Sequence, residues 1–118
     1  MYQKLVDATF AKGYDIVIAP TMPTSHIPAN HDFTKDRVTE DGKLQDKLVG
    51  GLYTVPFNIL NWLPVISAPA GLSSQGMPMG VQIIGKAHDT LTVFKAASAY
   101  SRGAIKLYRA NTLPAIYK

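Results

Sequence analysis

The 118-residue chain has no cysteine. Disulfide scaffolds, thiolate metal sites and cysteine nucleophiles are therefore excluded, and a cytoplasmic setting is expected. A basic cluster is also missing. The net charge is +4 and the pI about 9.4, but Lys and Arg are dispersed and do not alternate with aromatic residues, so no nucleic-acid partner is expected. Met1–Lys12 carries Lys4 and Asp7 and has no apolar signal core. No serine lies in a G-x-S-x-G or S-x-x-K setting. No glycine-rich phosphate loop is present either, because Gly76-Met77-Pro78-Met79-Gly80 places proline where amides would have to face an anion.

The largest deficit is of charge. Asp, Glu, Lys and Arg make up 17% of the chain, yet none occurs between Leu48 and Gly85. Pro56, Pro64, Pro69, Pro78 and six glycines interrupt this run. Such text reads as short buried strands and tight turns in a sheet covered on both faces. A membrane span is not expected. Leu48–Leu72 has the length, but Pro56, Pro64 and Pro69 each disfavour a continuous helix by about 3 kcal/mol, and Asn58 and Asn61 would carry amides into lipid. A neutral run this long is hard to hide in a small domain. It points to a piece of a larger fold, or to self-association through an open sheet surface.

Local patterns divide the chain. Tyr2, Leu5, Val6, Thr9 and Phe10 have helical spacing, with Gly13 as a C-terminal stop. Ile16–Ala19 are apolar without alternation, as in a strand buried on both faces, and Pro20 ends it. Residues 21–43 are polar and rich in turn formers, which predicts a long loop. A helix can start at Leu44, weakened by Gly50 and Gly51, and a second, short one is entered at Pro56. Val65–Leu72 and Met77–Ile84 read as a hairpin around Ser73-Ser74-Gln75-Gly76. Asp89 caps a helix running to about Arg102, with Leu91, Phe94 and Ala97 as one apolar stripe and Val93, Ala96 and Tyr100 beside it. A short strand and an irregular tail are expected over 104–118. The sum is an α/β segment, a mixed β-sheet flanked by helices.

Candidate chemistry in the residues themselves is thin. His26, His31 and Asp32 fall together on the long loop, but their spacing matches no helical ligand motif, and they read as solvated loop residues. Ser73 and Ser74 read as turn residues, and His88 as part of a turn before a helix.

Four blocks are more specific. Asp15-Ile-Val-Ile-Ala-Pro20-Thr21-Met-Pro23 resembles the D-x-hydrophobic-P-T-x-P segment near the C-terminus of amidase-signature enzymes. Thr54-Val-Pro56-Phe57-Asn58 and Pro64-Val-Ile-Ser67-Ala-Pro69-Ala-Gly71 resemble their T-x-P-F-N and P-x-I-S-x-P-x-G segments. Gly76-Met-Pro78-Met-Gly80-Val81-Gln82-Ile-Ile-Gly85 resembles G-x-P-x-G-V-Q-x-x-G. The order is that of the family, and the blocks cover nearly the whole chain.

The resemblance implies a single segment, residues 1–118, from the C-terminal part of the larger amidase-signature fold. The family acts on amides with two serines and a lysine from an earlier Gly/Ser-rich signature, which is absent here. No catalytic residue, no metal and no cofactor is thus expected in this chain, and its partner is a small amide substrate in the intact enzyme. Thr54, Phe57, Asn58 and Trp62 are the candidates for a substrate-pocket wall. Trp62 stands where the family usually has glycine, and it either reshapes the acyl pocket or packs in the core. Gly51 stands where relatives that use glutamine for tRNA amidation tend to carry an acid. That favours a general amidase over a fragment of the tRNA-linked amidotransferase type. A non-catalytic interaction module is a further alternative.

Overall fold

A computed structural model describes residues 1–25, 27–40, 42–46 and 52–104. The expectations for His26, for Gly50 and Gly51, and for a strand and tail after Ala104 lie outside the described residues.

Helix α1 (Tyr2–Ala8) continues through a 3-10 turn at Phe10–Lys12 and stops at Gly13, whose φ of +91° suits a residue without Cβ. Strand β1 (Ile16–Pro20) follows. Two short strands, β2 (Thr39–Glu40) and β3 (Lys43–Leu44), pair as a small hairpin. Helix α2 is Val55–Ile59, with proline in its first turn. Strands β4 (Val65–Leu72) and β5 (Pro78–Gly85) form the long hairpin, and α3 spans Thr90–Gly103.

The main sheet has the order β1-β5-β4, and both pairings are antiparallel. This is an α/β layer, the class expected from the sequence. β5 is central: Ile83 and Ile84 are almost fully buried on its two faces, at 1% and 0% exposure. Ile84 joins Leu60 and Leu63 in one cluster, against which Tyr2, Leu5, Val17 and Phe57 pack. α3 packs on β4 and β5. At the contact, a Cβ on Gly85 would fall within the Val93 side chain, so the glycine sets how closely helix and strand approach.

The hairpin turn is closed by Ser73. Its amide donates to Met77 O at 2.8 Å, and its Oγ accepts from the amides of Gln75 and Met77. Asp89 Oδ1 accepts from Thr92 N at 3.2 Å, the expected N-cap. Hydrogen bonds from Thr92, hydroxyl first and amide second, hold the Asp89 carboxyl below its ordinary range.

Several expectations are corrected. No helix starts at Leu44, because Gly42 takes a φ of +75° and folds Lys43–Leu44 back on β2. The stripe of α3 that meets the sheet is Val93, Ala96, Ala97 and Tyr100, whereas Leu91 and Phe94 are 64% and 59% exposed. Small residues at Val93, Ala96 and Ala97 let the helix approach the sheet, and Tyr100 reaches β4 with its hydroxyl on Pro69 O. β1 is not covered on both faces by the described residues, since Ile18 is 59% exposed.

Candidate functional site

Two of the four motif blocks, and the residue just before a third, are joined by the Gln82 side chain. Gln82 is the only buried polar residue among the described residues, with 2% exposure, in a strand otherwise without polar side chains. Its Nε2 donates to Pro20 O at 2.9 Å and to Tyr53 O at 3.2 Å. The amide of Tyr53 in turn donates to Thr21 O at 3.2 Å. Thr21 N and Oγ1 both donate to Gly80 O, at 3.1 and 3.0 Å. A Cβ on Gly80 would lie 3.3 Å from Thr21 Oγ1, so the close approach favours glycine. The Pro20-Thr21, Tyr53-Thr54 and Gly80-Gln82 segments are therefore one hydrogen-bonded knot, with two donors of a buried amide in use.

Beside the knot lies a groove of about 350 Å³. Residues 20–25 and Ile27 form one side, Met77–Val81 the other, and Ala70 also lines it. No charged side chain lines it among the described residues.

The four residues expected at a pocket wall do not line this groove. Thr54 is the N-cap of α2, and its carbonyl accepts from the amides of Phe57 and Asn58 at 3.1 and 3.0 Å. Phe57 packs against the Leu60–Leu63–Ile84 cluster, and Asn58 is exposed. Trp62 is 44% exposed, with its ring edge-on to Tyr2 at 5.9 Å, and its carbonyl accepts from His88 N. It is thus not a fully packed core tryptophan. The structure brings Thr54, Phe57 and Asn58 together on one helix, puts Trp62 towards α1, and places none of the four on the groove.

On the long loop, Asp32 and His31 make local contacts. Asp32 Oδ1 accepts from Thr34 N and Oγ1, at 2.9 and 2.6 Å, and Oδ2 pairs with Lys35 Nζ at 3.2 Å. The hydroxyl of Thr34 is the chief reason its carboxyl sits below the ordinary range. His31 stacks edge-on against Phe33 at 4.6 Å. No group of three potential metal ligands occurs among the described residues, and no helix there is long and apolar enough to cross a membrane.

Sequence reasoning missed Gln82 as the organising residue. The available signal was a lone carboxamide among apolar neighbours in a strand buried on both faces, where an amide must find partners.

Comparison with known proteins agrees with the blocks. A family model for amidases matches residues 1–93. The glutamyl-tRNA(Gln) amidotransferase A-chain protein of Brevibacillus brevis is 37% identical over 93 residues, covering 77% of this chain and 17% of that protein. Its counterpart in Granulibacter bethesdensis is 34% identical over 108 residues, covering 89% of this chain and 20% of that protein. An acylamidase of Rhodococcus erythropolis is 32% identical over 92 residues, covering 78% of this chain and 19% of that protein. This chain therefore spans about a fifth of the length of these curated relatives. With residues 1–93 matched by the family model and relatives 32–37% identical over most of its length, the chain belongs to the amidase family.

Proposed function

We propose that the chain is the C-terminal structural and substrate-pocket segment of an amidase that hydrolyses carboxamide C–N bonds, and that it lacks the Ser-Ser-Lys catalytic core. The observation that carries this reading is the Gln82 knot. It joins the end of β1, the first half of β5 and the segment that enters α2 in one hydrogen-bonded unit, and strand ends are where a scaffold presents a pocket. Thr54, Phe57, Asn58 and Trp62 are proposed to wall the substrate pocket of the intact enzyme. The partner is a small amide, in a cytoplasmic setting suggested by the lack of cysteine.

A role in tRNA-linked amidotransfer is the second reading. It is favoured by relatives named for that activity at identities of 33–37%. Gly51, where an acid would hold the α-ammonium of glutamine, weighs against it.

The test has two arms. The purified chain should not hydrolyse a simple aryl amide such as 4-nitroacetanilide. A chimera of the Rhodococcus acylamidase carrying residues 1–93 in place of its matching segment should hydrolyse it. Turnover by the chain alone would overturn the missing-core reading. A chimera that folds but is inert would overturn the amidase reading.

A further inference from the structure

The three-stranded sheet is covered on a diagonal. The register sets Val17 and Val65 on either side of Ile84, so these three share one face. On that face Tyr2, Leu5 and Phe57 pack with Val17, Ala19 and Ile84, and no hydrophobic residue of β4 joins them among the described residues. Val65 is 40% exposed. The register sets Ile18 and Ile66 on either side of Ile83, on the opposite face. A Cβ on Gly85 would point to this second face and meet Val93, so α3 lies there, and it packs chiefly on β4 and β5. Ile66 is half-buried, whereas Ile18 is 59% exposed. Each outer strand is thus bare on one face, and the two bare faces are opposite ones.

Both outer strands also offer backbone groups. Thr21 N bonds to Gly80 O and Gly85 N to Pro64 O. Bonded pairs alternate along an antiparallel ladder. Ile16 and Ile18 therefore turn their N–H and C=O groups away from β5, and so do Val65 and Ser67. Pro20 and Pro69 have no N–H and end these two edges. β1 and β4 are each antiparallel to β5, so they are parallel to one another.

We propose that the β1 edge pairs with the β4 edge of a second copy of this chain, and that copies add head to tail in an open series. With Ile18 opposite Ile66 of the second copy, the Ile18 N–H donates to the second copy's Val65 O, and the Ile18 C=O accepts from its Ser67 N. Like faces then align. α3 of the second copy comes beside the bare Ile18, and α1 of the first copy beside the bare Val65. Both joined strands are then flanked by helices on both faces, the usual setting of parallel strands. Each edge needs a strand that brings a helix on the face it lacks, and the chain's own other edge is such a strand. An edge paired with itself about a two-fold axis is antiparallel and keeps like faces together. It sets two bare Ile18 residues, or two bare Val65 residues, side by side with no helix over them among the described residues. The joint is therefore heterologous, and every addition leaves a β1 edge at one end and a β4 edge at the other.

Proline supplies the test, because Ile18 N and Ser67 N face outward and a proline there leaves the ladder to β5 intact. In sedimentation velocity, the weight-average mass of the 118-residue protein should climb with concentration past twice the 12.8 kDa chain, without a plateau. Ile18→Pro keeps only the β4 edge and Ser67→Pro only the β1 edge, so each alone should stay monomeric. Mixed in equal amounts, they should form a heterodimer and nothing larger. Ile18→Lys and Ser67→Lys are the second pair, used where a proline variant loses its circular dichroism. A protein that is monomeric at every concentration would overturn the joint and leave both edges to a different polypeptide. A plateau at a closed dimer, dimers of either variant alone, or a mixture of folded variants that stays monomeric would overturn it as well. The joint rests on the sheet alone, so an inert chimera leaves it standing, and a monomeric protein leaves the amidase reading standing.

Discussion

Replacing Gln82 by methionine tests the knot most directly. Methionine has similar length and volume and no donor, so the change removes two hydrogen bonds without opening a cavity. Each such bond contributes about 1 kcal/mol net. The carbonyls of Pro20 and Tyr53 would also be stranded, at about 1–3 kcal/mol each if no water reaches them. Pro20 is an exposed residue and Tyr53 half-buried, so water reaches Pro20 O more readily, and the full penalty applies to one carbonyl at most. The expected loss is about 3–5 kcal/mol, a large share of the 5–15 kcal/mol typical of a whole domain. Urea unfolding followed by circular dichroism reads the global loss. Amide exchange of Thr21 and Tyr53 reads the local one, because their N–H groups bond to Gly80 O and Thr21 O. Both amides should exchange faster, even where the strand amides of Ile83 and Ile84 do not. A loss below about 0.5 kcal/mol with unchanged Thr21 and Tyr53 exchange would refute the view that this side chain ties the blocks together.

Three further outcomes are expected. Gly85→Ala forces α3 off β5 at Val93 and should cost about 1–3 kcal/mol by overpacking, read as a lower urea midpoint. Gly85→Ala combined with Val93→Ala should recover part of that loss. Asp89→Ala should lower the melting temperature at neutral pH and flatten its acid dependence. The folded carboxyl is depressed below the ordinary aspartate value, so its stabilisation is complete above about pH 4, the unfolded range, and is lost as pH falls through the lower folded value. Asp89→Asn, which keeps an acceptor, should retain most of the neutral-pH stability and lose that dependence. Finally, Ile18→Lys and Ser67→Lys place charges on the two open edges, and together they should reduce any self-association seen by light scattering, whereas Leu44→Lys on the small hairpin should not.

Much of the local structure was legible in the chain. The long hairpin, the Ser73 turn, the Asp89 cap and the stop at Gly13 follow from contacts within a few residues, which composition and spacing encode directly. The neutral stretch from Leu48 to Gly85 likewise announced the central strand β5, whose Ile83 and Ile84 are covered on both faces. Tertiary structure decided the rest. Gln82 bonds to residues 62 and 29 positions away, and no local pattern encodes such a distance. α3 carried two apolar stripes of similar strength, and only its packing on β4 and β5, with Val93 against Gly85, buried Val93, Ala96, Ala97 and Tyr100 more than Leu91 and Phe94. Leu44 turned into a strand because Gly42 gave it a partner, overriding a weak helical preference. The same division holds for the site: its motif blocks are sequence, but the groove arises only when residues 20–25 are brought against Met77–Val81, with Gln82 tying Pro20 to β5.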